Sequence, residues 1–178
     1  MQLHFGNISQ WGEKVYDFLN ERKPSVFLFA EHKLMNSALG GAKDRLYSMG
    51  LKPFLASAKI KHTGPSGGTG LVAQRHLAVT PLATRPDLCA ASLAQGAAWA
   101  SALLRLKGAW VLLVSVYIPP GGLIPSNLNL LFNLRNMLKT LSIPFILLGD
   151  WNLDGEELSS IPWLDELDAF ILPLATLC

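Results

Sequence analysis

The chain has 178 residues, half of them hydrophobic, with a mean hydropathy of +0.30 and a formal net charge of +2. That length suits one domain with a sizeable core. The small charge does not demand a nucleic-acid partner, nor does it exclude one, because a local basic cluster is enough to track a phosphate backbone. No apolar stretch reaches the length of a membrane span, so no membrane partner is expected. Residues 1–7 lack the basic and apolar regions of a secretory signal. Cys89 and Cys178 form neither a disulfide framework nor a metal knuckle. Reduced thiols, no disulfide partner and an intracellular location are expected.

Residues 2–7 alternate weakly and predict a first strand. Trp11, Val15, Phe18 and Leu19 then recur at helical spacing across 11–22, with Ser9 as N-cap, and Lys23-Pro24 ends that helix. The continuous apolar run 25–30 predicts a strand covered on both faces, ending in Glu31-His32-Lys33. A second helix is predicted over 37–49, stopped by Gly50, followed by a strand over 51–59. A polar, glycine-rich turn follows at 61–69. Strands are predicted over 70–79 and 97–106, with a Pro-containing segment between them, and the strongest strand covers 110–118. After the loop 119–125 come a helix over 128–141 and a strand over 145–148. Leu164-Asp-Glu-Leu-Asp168 reads as a solvated helix face with Trp163, Leu164 and Leu167 turned inward.

A purely parallel sheet needs a helix between each pair of strands, and the strand-rich middle does not supply them. The predicted fold class is therefore α/β: a layered α/β sandwich of mixed β-sheets flanked by helices, in a single domain over 1–178.

Gly64-Pro65-Ser66-Gly67-Gly68 matches the G-x-S-x-G pattern of a nucleophile elbow. An elbow requires a strand before it, a helix after it, and then an acid followed by a histidine. Here a polar segment precedes, a strand follows, and the only later histidine is His76, with no acid between. A hairpin turn fits instead. No P-loop or Rossmann glycine pattern occurs. The histidines at 4, 32, 62 and 76 have no zinc-site spacing.

What remains is a set of polar groups at strand ends: Asn7, Glu31, Tyr117, Asp150 and Asn152. In Phe145-Ile-Leu-Leu-Gly-Asp-Trp-Asn152 a hydrophobic run is closed by glycine and then by a carboxylate and a carboxamide. Two residues apart, these point the same way if the chain stays extended. Taken singly, each has a plain structural reading. Asn7 can start a turn, Glu31 can end a strand in solvent, Tyr117 can be a half-buried aromatic, and Asp150-Trp-Asn152 can be an Asx-turn. Taken together, hydrophobic strands end repeatedly in groups suited to a hard metal or a phosphate. In a layered α/β fold such ends can converge at one edge.

In order along the chain, His4-Phe-Gly-Asn-Ile-Ser9, Val26-Phe-Leu-Phe-Ala-Glu-His-Lys-Leu34, Ser66-Gly-Gly-Thr-Gly-Leu-Val-Ala-Gln74, Leu112-Leu-Val-Ser-Val-Tyr-Ile-Pro-Pro-Gly121 and Phe145-Ile-Leu-Leu-Gly-Asp-Trp-Asn-Leu-Asp154 resemble blocks of the endonuclease/exonuclease/phosphatase superfamily. This is the DNase I-like group of apurinic and retroelement endonucleases, DNase I and inositol 5-phosphatases. The resemblance implies a magnesium-dependent phosphodiesterase, with manganese as a substitute, most like an endonuclease that hydrolyses nucleic acid, DNA above all. By that resemblance Glu31 holds the metal, and Asp150 orients or deprotonates the attacking water. Asn152 fixes water and phosphate, and Asn7 and Tyr117 hydrogen-bond to phosphate oxygens or metal waters. Lys59, Lys61, Arg75 and Arg105 are candidate backbone contacts. A phosphomonoesterase of the same superfamily is the alternative substrate reading.

Two departures are evident. Ser9 stands where relatives carry an aspartate, and no histidine follows His76, so the family's terminal Ser-Asp-His is missing. The chain reads as C-terminally truncated, without the last strands, and a catalytically impaired remnant is the second functional alternative.

Overall fold

The computed structural model describes residues 1–62, 64–84 and 98–171. Cys89 and Cys178, and with them the expectation about disulfides, lie outside those residues. In chain order the elements are β1 (Leu3–Asn7), α1 (Glu13–Arg22), β2 (Val26–Ala30), α2 (Asn36–Ser48), β3 (Leu51–Ala56), β4 (Lys59–Lys61), β5 (Gly64–Ser66), β6 (Thr69–Gln74), β7 (Val79–Thr80), β8 (Trp99–Leu106), β9 (Ala109–Tyr117), α3 (Pro125–Leu141), β10 (Phe145–Asp150) and α4 (Gly155–Ser159). Short 3-10 turns occupy Leu82–Thr84 and Asp165–Leu167. Among the described residues no helix is long and apolar enough to cross a membrane.

One sheet has the order β1-β2-β6-β3 and the other β10-β9-β8-β7, and both are mixed. β1 runs parallel to β2 across α1, and β9 parallel to β10 across α3, while the remaining pairs are antiparallel. The sheets pack face to face. Between them lie Val26, Leu28, Leu71, Ala73, Val79, Ala102, Leu104 and Leu113. The outer face of the first sheet is covered by Val15, Tyr16 and Leu19 of α1 and Leu46 of α2. That of the second is covered by Leu131, Leu134, Met137, Leu138 and Leu141 of α3. The layered sandwich of mixed sheets expected from the sequence is the architecture found.

Strand alternation decides which residues enter the seam between the sheets. On β1, Leu3 and Phe5 face it; on β10, Ile146 and Leu148; on β9, Val111 and Leu113. Two residues further along each strand the same face carries Asn7, Asp150 and, after Ser115, Tyr117. Ser115 is fully buried there, and its hydroxyl donates to the Phe29 carbonyl oxygen at 2.7 Å, tying β9 to β2. Gly149 lets β10 run straight into Asp150. A Cβ at that position would lie 2.8 Å from Val116 Cβ and closer still to the Val116 carbonyl.

Several predicted elements are shifted. Helix α1 starts at Glu13 with Gly12, not Ser9, as its N-cap, and no side chain caps it. The strand expected over 70–79 is two strands, parted by a turn at Arg75-His76. The polar turn expected at 61–69 is shorter, because Lys59–Lys61 pairs with Gly64–Ser66 as a hairpin. Residues 164–168 do not form a helix. Asp168 takes a left-handed conformation, φ 49°, and ends the segment after one 3-10 turn. Trp163 is buried as expected, and Glu166 pairs with Arg135 at 2.7 Å.

Candidate functional site

All four parallel strands, β1, β2, β9 and β10, deliver their C-terminal ends to one rim of the seam. Asn7 Nδ2 donates to Asp150 Oδ2 at 2.8 Å, joining the first sheet to the second across 143 residues of sequence. Tyr117 lies level with Asp150, its register partner on β9. Its phenol is pushed above the ordinary tyrosine value chiefly by burial, and the negative charges of Glu31 and Asp150 push the same way. A hydrogen bond with Ser66 works against them. Tyr117 is thus a protonated donor at neutral pH, close to two carboxylates.

Glu31 occupies the left-handed region, φ 62°, as does Lys33, φ 59°. That region is disfavoured for residues with a Cβ, and such strain persists only where surrounding bonds over-determine it. They do so here. The His32 N–H donates to Gly68 O at 3.3 Å, the Lys33 N–H to Gly67 O at 3.0 Å, and the Ala58 N–H to Leu34 O at 2.8 Å. The turn therefore leaves β2 between the two segments that flank the β4–β5 hairpin. The Glu31 carboxylate meets Lys33 Nζ at 3.9 Å, the outer limit of an ion pair, and is otherwise uncommitted among the described residues.

His32 anchors this turn from below. It is fully buried, and its Nδ1 accepts the Leu34 N–H at 2.9 Å, so the ring proton belongs on Nε2. Nε2 lies 3.1 Å from Ala56 O and 3.2 Å from Thr69 O. A Cβ on residue 68 would lie 2.7 Å from the ring, which explains Gly68. Burial lowers the His32 pKa from 6.5 to about 4, with the backbone bonds to Thr69 and Ala56 opposing the shift. The neutral ring is therefore the folded form. Its stabilisation is complete above pH 6.5, where unfolded histidine is also neutral, and is lost as pH falls through 4. At about 1.4 kcal/mol per pH unit this amounts to about 3 kcal/mol. Denaturant melts between pH 7 and pH 4 are expected to show that loss in the native chain and to lack it in His32→Gln. Identical pH profiles would contradict it.

Asn152 corrects the expectation that it would point alongside Asp150. The chain does not stay extended: Asn152 has φ 45°, and its Nδ2 donates to Ile118 O at 2.9 Å. It grips the segment after Tyr117 rather than standing beside the carboxylate. Between them Trp151 packs edge-on against Trp163, centroids 5.9 Å apart. Ser9 is exposed and makes no cap. Arg75 and Arg105 belong to the opposite end of the sheets. Arg105 pairs with Trp110, seven residues back along β9 from Tyr117, or roughly 23 Å at 3.3 Å per residue.

Two residues of the site were not singled out from sequence. One is Ser66, which lies within interaction range of the Tyr117 phenol. The other is Asn127, fully buried at the start of α3, whose Nδ2 donates to Pro119 O at 2.8 Å and Gly122 O at 2.9 Å. Asn127 and Asn152 thus hold the successive carbonyls of Pro119 and Ile118, fixing the chain just past Tyr117. The only sequence signal for Asn127 was a carboxamide in the first turn of a helix following Pro119-Pro-Gly-Gly122.

No protein-family model matches the sequence, and no curated protein matches it. Solved structures do. The chain is similar to the endonuclease domain of TRAS1, a telomere-specific non-LTR retrotransposon, with a TM-score of 0.60 and 17% identity over 92% of this chain and 70% of that one. An AP endonuclease from Leishmania major gives 0.59 and 16% over 83% and 53%. An endonuclease/exonuclease/phosphatase family protein from Leptotrichia buccalis gives 0.56 and 14% over 93% and 72%. The chain has the DNase I-like fold of these structures. It spans about half to about seven-tenths of the length of these structures.

Proposed function

We propose that the chain is a metal-dependent phosphodiesterase whose site lies at the rim formed by Asn7, Glu31, Tyr117, Asp150 and Asn152, and whose substrate is nucleic acid. The observation that carries this reading is the Asn7–Asp150 hydrogen bond. It joins the two sheets at the place where a second carboxylate, Glu31, remains uncommitted. Nucleases among the structural neighbours support the same general class.

The donor set fits a hard divalent cation. It consists of oxygen donors only, with no thiol and no exposed imidazole among the five residues. Magnesium is ordinarily held by one or two carboxylates with water in the remaining positions. Glu31 would hold the ion, with Mn²⁺ as a substitute for Mg²⁺. When bound, the ion would neutralise charge on the phosphate and on the leaving oxygen. The side chains do the rest. Asp150, fixed by the Asn7 amide, orients the attacking water and accepts its proton. Tyr117, held protonated by burial, donates to a phosphate oxygen. Asn152 and Asn7 keep these groups in register. Phosphoryl transfer depends mainly on positioning and charge stabilisation, so such a set suffices in kind.

Conversion of supercoiled plasmid to nicked circle in Mg²⁺ is the test. Activity is expected to vanish in EDTA and in Glu31→Gln. Nicking that needs no metal, or that survives this change, would sink the assignment. Ser9, standing where the resemblance implies an aspartate, favours one second reading, a scaffold that binds without turnover. Turnover of the native chain at ordinary enzyme rates would end it. Preferential release of phosphate from monoesters would move the assignment to a phosphomonoesterase.

A further inference from the structure

The β4–β5 hairpin grows directly out of the backbone that holds the Glu31 turn. Ala58 bonds Leu34 on entry, and Gly67 and Gly68 bond Lys33 and His32 on exit. Lys59 pairs with Ser66, Ile60 with Pro65, and Lys61 with Gly64. Directly opposed residues share a face of a sheet, and successive residues alternate between faces. Ser66 lies within interaction range of the Tyr117 phenol, so its face looks toward the site. Lys59 and Lys61 share that face, while Ile60, 75% exposed, and Pro65 occupy the other. Among the described residues neither lysine has a carboxylate partner. Their separation along the strand is roughly 6.6 Å, and one strand of a duplex carries a phosphate about every 3.4 Å of axis. The pair is therefore spaced widely enough to meet two different phosphates of one strand.

We infer that this hairpin is a backbone clamp, with Lys59 and Lys61 holding phosphates adjacent to the one positioned between Glu31 and Asp150. The inference rests on the phosphodiesterase reading for the location of the reacting phosphate, and it deepens that reading by assigning the residues that hold the neighbouring phosphates. A free monoester has no flanking phosphate for the lysines to hold, whereas a nucleic-acid strand does. Two unpaired ammonium groups on the hairpin that adjoins the Glu31 turn also favour the approach of a polyanion to the acidic centre.

The test is fluorescence anisotropy of the full chain with a labelled duplex DNA oligonucleotide, in EDTA, across a salt series. Each lost phosphate contact lowers the slope of log K against log salt by about 0.9. Lys59→Ala/Lys61→Ala is expected to reduce the slope by about 1.8 and the affinity about tenfold at moderate salt, with an unchanged circular dichroism spectrum. Ile60→Ser, on the opposite face, is expected to leave the slope unchanged. An unchanged slope in the double variant, an equal loss in Ile60→Ser, or no binding by the native chain at low salt would each overturn the clamp. Because binding is read without metal, a native chain that binds in this manner yet fails to nick plasmid counts against the catalytic reading alone.

Discussion

Asp150→Asn is expected to slow magnesium-dependent plasmid nicking by about 10²–10⁴-fold, the usual contribution of a positioned acid or base, while the melting temperature stays nearly constant. The substitution is isosteric and keeps an oxygen that accepts from Asn7 Nδ2, now at 2.8 Å from Asp150 Oδ2. What it removes is the negative charge and the capacity to take a proton. Asn7→Ala should be milder, because it leaves the carboxylate in place and only frees its orientation. Initial rates of nicking, measured beside a thermal melt, separate the two. A change of less than threefold in Asp150→Asn would remove Asp150 from the chemistry.

Trp163→Ala is expected to be the most damaging single change to the fold. The side chain is 2% exposed, its Nε1 donates to Leu131 O at 2.7 Å, and its ring meets Trp151. Emptying such a position costs about 3–5 kcal/mol. In a chain of this size, that corresponds to a melting point lower by roughly 10 °C. The same variant loosens Trp151, which stands between Asp150 and Asn152, so activity should fall at temperatures where the fold still holds. Trp163→Phe should recover part of the stability while losing the indole's hydrogen bond to the Leu131 carbonyl. A thermal shift of only a degree or two in Trp163→Ala would contradict the packing described for this layer.

Much of this arrangement was legible because each strand end broke the pattern of its own strand. Asp150 follows five residues that are apolar or glycine, and Glu31 follows five that are apolar. Both breaks are visible without any knowledge of pairing. The two-layer arrangement was also readable, since β2 and β9 are apolar at nearly every position and must be covered on both faces.

Other parts depended on contacts between distant segments. A continuous apolar run hides which face is which, so the sequence could not say that Phe5, Leu148 and Leu113 share the seam. Nor could it give Asn152 its left-handed turn, which is stabilised by a carbonyl 34 residues away. Ser66 was read as part of a hairpin turn and lies instead in a hairpin strand, paired with Lys59, and its proximity to Tyr117 comes from tertiary placement. From the sequence, His32 was only the residue after Glu31 and a histidine without zinc-site spacing to another. Its anchoring role emerges once Ala56, Thr69 and Gly68 surround it.

The bond between Asn7 and Asp150 spans 143 residues, which has a consequence during synthesis. Chains emerge at about 5–20 residues per second, so roughly 7–30 s separate the appearance of the two partners. Neither β-α-β half contains the pair, and long-range contacts of this kind form late because loop closure must precede them. The nascent chain therefore carries its β4–β5 lysines well before it carries a completed rim. Under the clamp inference, it would acquire the ability to hold nucleic acid before it could cut it.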